Sequence, residues 1–137
     1  MTTTTVVVHG IPAPQGSKRH VGNGILVESS KKVKPWREAV KWAAIEAGVK
    51  PMAGPVRLVV SFFLPRPKSA PKSRTHADRK PDLDKLLRST MDALSDVGAW
   101  EDDARVYEVF ASKEYERFDR PPGAVIQIAA LGAAKEK

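Results

Sequence analysis

Residues 80–106 read KPDLDKLLRSTMDALSDVGAWEDDARV, and the rest of the chain is organised around them. Leu83, Leu86, Leu87, Met91 and Leu94 recur at helical intervals and predict one apolar stripe. Asp82, just after Pro81, occupies an N-cap position, and Gly98 sits where a C′ glycine ends a helix. After a short turn through Ala99, Trp100 and Glu101, Asp102 and Asp103 open a run rich in Val, Tyr and Phe, which predicts a strand. Two carboxylates therefore lie at a helix entrance and two at a strand entrance.

The same stretch concentrates charge. Asp82, Asp84, Asp92, Asp96, Glu101, Asp102 and Asp103 all fall within it, although the chain as a whole is formally +7. An acidic island in a basic chain predicts a cation site set in a surface that attracts polyanions. In mid-helix, residues two apart point to nearly opposite sides. At the entrance Asp82 need not be helical, so it can still converge with Asp84. A strand returning beside the helix start would add Asp103 and complete a three-carboxylate pocket. Hard divalent cations such as Mg²⁺ take oxygen ligands of this kind and keep waters for a phosphate to displace. A plainer reading stays open: Asp82 as a cap only, Asp84 paired with Arg88 one turn on, and Asp102 and Asp103 as solvated turn residues.

These residues also carry a resemblance. PDLDKLLRSTMDAL followed by GAWEDDARV resembles the core motif of the RusA-type Holliday junction resolvases, the endodeoxyribonuclease RusA family common in bacterial phages and prophages. The family pattern is Asp-Leu-Asp-Asn-Leu, a lysine two positions on, Asp-Ala-Leu, a glycine, a tryptophan and a closing Asp-Asp. Here Lys85 stands in place of the asparagine and Arg88 in place of the lysine. The segment IPAPQGSKR at 11–19 is similar to the N-terminal segment of many phage members.

The resemblance implies a Mg²⁺-dependent endodeoxyribonuclease, with Mn²⁺ able to substitute, that cuts Holliday junctions or other branched DNA by paired phosphodiester hydrolysis. It implies Asp82, Asp84 and Asp103 as catalytic metal ligands, with Asp102 as an outer-shell partner. Arg88 then takes the place of the essential lysine and stabilises charge on the scissile phosphate, although arginine and lysine are not equivalent. Two symmetric cuts need two sites, so a domain with one carboxylate cluster predicts a C₂ homodimer, as the family also implies. Two rivals stand beside this reading: a flap or branch nuclease with little four-way preference, and a non-catalytic DNA-binding protein.

Composition sets the outer bounds. With 137 residues the chain predicts a single domain over 1–137, large enough for one core. It has no cysteine, which excludes disulfides, thiolate zinc sites and cysteine nucleophiles. No apolar run approaches membrane-spanning length, and the threonine-rich start lacks the parts of a signal peptide. The expectation is thus no membrane partner, a nucleic-acid partner, and a bacterial cytoplasmic location.

Outside the central stretch, Thr3–Val8 predicts a first strand and 9–16 a proline- and glycine-rich loop. A short hairpin turning at Asn23 and Gly24 follows, with Lys18 and Arg19 as candidate phosphate contacts. Lys31 and Lys32 belong to a second basic cluster ahead of a helix expected to start at Pro35 and stop at Gly48. Its stripe is Trp36, Val40, Ala43, Ala44 and Ala47, with Trp42 and Ile45 widening it toward the core or a dimer contact. Val56–Leu64 alternates and should turn its even-numbered residues inward. Residues 65–80 hold three prolines and the cations Arg66, Lys68, Lys72, Arg74, Arg79 and Lys80, and predict a mobile basic arm that orders on DNA phosphates. His76, within it, reads as a surface residue. Ala104–Tyr115 predicts a strand broken near Glu108 by a bulge, Ala124–Leu131 a central strand, and 132–137 a tail. The order fits a small α+β domain, a mixed sheet with two helices packed on it.

Overall fold

The computed structural model describes residues 2–16, 18–20, 26–28 and 31–132, with Lys18 and Arg19 described by backbone alone. The expected turn at Asn23 and Gly24 and the expected tail beyond Gly132 lie outside the described residues. Four strands form one sheet in the order β1 (Thr2–His9), β6 (Gly123–Ala130), β4 (Val56–Leu64), β5 (Val106–Tyr115). β6 runs antiparallel to both β1 and β4, and β4 runs parallel to β5, so the sheet is mixed. A separate two-stranded ribbon pairs β2 (Lys18–His20) with β3 (Leu26–Glu28). The helices are α1 (Val33–Glu46) and α2 (Leu83–Asp96). This is the expected α+β architecture.

The sequence periodicities explain the layers. In β4 the even-numbered Val56, Leu58, Val60, Phe62 and Leu64 are all buried, as alternation requires of a strand with one face on the core. Val6 and Val8 from β1 and Ile126 and Ile128 from β6 join the same core cluster, which Trp36, Val40 and Ala44 of α1 and Leu86, Ala93 and Leu94 of α2 cover. β6 is an inner strand and mostly buried, with Gln127 its one exposed residue, in keeping with its apolar run. Its first residue admits no side chain: a Cβ on Gly123, at φ +155°, would lie 1.9 Å from the carbonyl oxygen of Val8.

Four local expectations need correction. α1 begins at Val33, two residues before Pro35, because the N–H that proline lacks would have no intrahelical partner in the first turn anyway. Trp42 and Ile45 are 64% and 57% exposed and stand outside the core, since the sheet covers only a narrow stripe of α1. On α2 the expected stripe is buried only in part: Leu86 and Leu94 are buried, Leu83, Leu87 and Met91 are half-buried, and Ser89 and Thr90 take buried places with their hydroxyls satisfied internally. β5 starts at Val106 because Asp102 accepts a hydrogen bond from Ala104 N (2.8 Å) and winds Asp103–Arg105 into a 3₁₀ turn. The expected irregularity is present: the β4 register jumps from Val56↔Val106 to Arg57↔Glu108, leaving Tyr107 as the extra residue.

Both helices end in the same way. Gly98 takes φ +74°, its N–H donates to Ser95 O (2.9 Å), and Ala99 N–H donates to Leu94 O (3.0 Å). Gly48 and Val49 repeat this Schellman pattern on Ile45 and Ala44. After α2 the chain reverses, and β5 runs back along the helix in the opposite direction. The contacts at the two ends show this. Asp103, before β5, meets Ser95 near the end of α2, whereas Lys113, late in β5, reaches Pro81 just before its start.

Candidate active site

Asp82 is the N-cap of α2 by backbone (φ −69°, ψ 136°), yet its side chain makes no capping hydrogen bond. Its closest cation is Lys85, at 3.9 Å and in the open, a contact of little energetic weight. Asp84 lies exposed in the first turn, and among the described residues no ion pair joins it to Arg88. Neither carboxylate is therefore spent in the way the plainer reading assigned. Both sit at the start of α2, at the positive end of its dipole.

Asp103 is elsewhere. Its carboxylate accepts from Ser95 Oγ and from Trp100 Nε1 (3.0 Å), at the far end of α2. Eleven residues separate Asp84 from Ser95, an axial rise of about 16 Å. What returns beside the helix start is the end of β5, with Lys113 and Tyr115, and the residues before β5 stay at the helix end. Within one copy, accordingly, no group of three or more His, Asp or Glu side chains is gathered to hold a metal among the described residues. Asp102 is engaged as the cap of the 3₁₀ turn.

Between the two ends, Asp84, Arg88, Asp92 and Asp96 follow at four-residue spacing along one face of α2. Partial burial pushes the Asp92 carboxyl up; the neighbouring Asp103 and Asp96 charges add to this, while Arg37 and Arg88 oppose it. Asp96 behaves oppositely. Burial alone would raise it, but hydrogen bonds and charge from Arg37 (2.9 Å) and Lys41 (3.3 Å) hold it below the usual aspartate range.

The basic residues fall around two cavities. One, of about 500 Å³, opens at the start of α2 beside Asp82, with Lys32, Arg79, Lys80 and Lys85 among its lining residues. The other, of about 660 Å³, lies between the 65–80 loop and the end of β5 and takes in Lys72, Arg74, Lys113 and Arg117. Arg66 shapes the loop: its guanidinium donates to Pro71 O (2.6 Å) and Arg74 O (2.9 Å) and lies over the Tyr115 ring at 5.0 Å. Lys31 and Lys68 are exposed, and Arg79 pairs with Asp78 at 3.1 Å.

Sequence reasoning gave no site role to four residues, although Asp92 and Trp100 fell within the acidic island and the motif. Ser95 and Trp100 orient Asp103, and Asp92 stands next to it in charge. Lys113 donates to Arg79 O (2.6 Å) and Pro81 O (2.8 Å), holding the segment that leads into Asp82. Asp92 was findable, being one turn beyond Arg88 on the same face. Nothing in the sequence marks Lys113, because its partners are main-chain carbonyls more than thirty residues away.

Comparison with known proteins adds two findings. The family profile described as Endodeoxyribonuclease RusA matches residues 9–129. The Bacillus subtilis (strain 168) protein YqaN, described as uncharacterized, is 26% identical over 136 residues, covering 90% of this chain and 95% of that protein.

Proposed function

This chain belongs to the RusA endodeoxyribonuclease family, and on that premise we propose that it is a Mg²⁺-dependent endonuclease that cuts Holliday junctions, or closely similar branched DNA, by paired incision as a homodimer. The observation that supports the reading is the start of α2, where the Asp82 side chain makes no capping hydrogen bond and lines a cavity with Lys32, Arg79, Lys80 and Lys85, and Asp84 stands exposed in the first turn.

The donor chemistry fits a hard divalent cation: carboxylate oxygens at the start of a helix, with no cysteine anywhere in the chain. Asp82, Asp84 and Asp103 would hold the ion, and Mn²⁺ would serve in place of Mg²⁺. When bound, the ion supplies an activated water and offsets charge on the phosphoryl oxygens. The protein's own cations do the rest. Lys32, Lys80 and Lys85 bind phosphates on either side of the scissile one, and Arg88 stabilises its developing charge. Ser95 and Trp100 keep the Asp103 carboxylate oriented.

Asp103 lies a helix length from Asp84, so one copy alone does not assemble the set. A two-fold axis that sets the α2 helices of two copies antiparallel would bring the end of one beside the start of the other. Asp82 and Asp84 of one copy would then share a site with Asp103 of the second, and each dimer would hold two sites for two cuts. The test is a panel of four-way junctions, flaps and duplexes incubated with and without Mg²⁺. Paired symmetric incision of the four-way junction only with metal is the expected result. Preferential cutting of flaps would support the branch-nuclease rival, and binding without cutting the non-catalytic one.

A further inference from the structure

The cavity beside Asp82 is more than a phosphate cleft. Cations mark its rim, but Ile11, Ala13, Leu64, Pro67, Ala77 and Tyr115 line it with apolar surface. Ala13 and Ala77 are almost fully buried, at 1% and 4% exposed, so parts of the wall are formed by small side chains that leave space in front of them. Hydrogen bonds tie the surrounding segments together. Ser89 Oγ ties down Ala13 O (2.6 Å), Gln15 N–H donates to Lys85 O (2.9 Å), and Lys113 holds Arg79 and Pro81. A volume of about 500 Å³ falls in the range of sites that enclose small organic ligands, roughly 300–1,000 Å³.

Resting on the nuclease reading above, we propose that this cavity receives one unstacked nucleobase of the branched DNA, from the nucleotide next to the phosphate held at Asp82. A phosphate bound among Lys32, Lys80 and Lys85 places its own base within reach of the cavity. The apolar lining suits the faces of a heterocycle better than water or a second phosphate. Bases at a branch point cost the least to unstack, which links the pocket to branched over duplex substrate. It would also make incision depend on the identity of the base that enters.

The test uses full-length protein and a four-way junction carrying 2-aminopurine, whose fluorescence rises on unstacking, at successive nucleotides around the crossover. One position is expected to brighten by about three-fold or more on binding, as for an extruded base. An abasic nucleotide at that position should slow Mg²⁺-dependent incision by about ten-fold or more. Ala77→Leu, which fills the cavity, should abolish the brightening while junction binding persists. Ile11→Ala trims an exposed wall residue without threatening the fold, and should reduce the brightening if Ala77→Leu proves unable to fold. No brightening in bound wild-type complexes overturns the proposal, as does brightening that both folded variants leave unchanged. Brightening that the variants remove, without any incision, upholds the pocket and overturns the nuclease reading. Incision without brightening does the reverse, and no junction binding at all overturns both.

Discussion

Trp36 shows how much depends on single polar atoms in this core. Its ring is 1% exposed and packs against Phe62, and its Nε1–H donates to Thr90 Oγ1 (3.1 Å). Thr90 is itself fully buried, and its hydroxyl donates a hydrogen bond to Leu86 O (2.8 Å). Thr90→Val keeps the shape but leaves the indole N–H unsatisfied, so it should cost about 1–3 kcal/mol in a urea or thermal melt. Arg88 is the opposite case. It is exposed and makes no ion pair among the described residues, so Arg88→Ala should change stability by less than about 0.5 kcal/mol. If it stabilises charge on the phosphate, single-turnover cleavage should fall by about 10²-fold or more with junction binding retained. Arg88→Lys should recover part of the rate, since it restores charge but not the forked donors. Near wild-type turnover in Arg88→Ala would remove it from the chemistry.

At the level of elements, α1 and α2 are joined outside the core by Arg37 and Lys41 converging on Asp96. The folded state holds this carboxyl below its ordinary value, so its contribution is present above the unfolded-state pKa and lost as pH falls through the folded one. Asp96→Asn should therefore destabilise by roughly 0.5–1 kcal/mol at neutral pH and low salt, the range of exposed pairs. In acid the wild-type and mutant melts should coincide; a constant gap would mean that packing, not charge, is lost. The 65–80 loop divides its cations between two tasks. Arg66 is used internally on Pro71 and Arg74, whereas the charged ends of Lys68 and Lys72 make no ion pairs among the described residues. Changing Lys68, Lys72 and Arg74 to Gln should lower the slope of log affinity against log salt by up to about 0.9 per lost phosphate contact. An unchanged slope would make the loop a passive connection.

For the whole molecule, the decisive question is whether the acidic residues at the two ends of α2 act within one chain or across two. Mixed dimers of Asp84→Asn with Asp103→Asn answer it. If sites form across the two-fold axis, one site in each mixed dimer carries both changes and the other neither. Nicking should then return at up to about half the wild-type rate, although each parent is inactive, as expected of an isologous assembly. Sites confined to single chains would stay inactive in every combination. Light scattering that finds only monomer at micromolar concentration would also count against the shared site.

What the sequence determined by itself was whatever is local or periodic. The alternation of Val56–Leu64, the helical stripe beginning at Leu83, the stop at Gly98 and the apolar run of β6 each follow from backbone geometry acting over a few residues. The charge island at 82–103 was legible for the same reason. Tertiary structure decided how far each pattern counts. It left Trp42 and Ile45 outside the core because the sheet covers only part of α1, and it buried Ser89 and Thr90 because Ala13, Leu86 and Trp36 supply their partners. It also sent β5 back along α2, so that Lys113 rather than Asp103 reaches the helix start. That reversal follows from where the strand docks on β4, a contact between residues some fifty positions apart, and no local pattern in the chain encodes it.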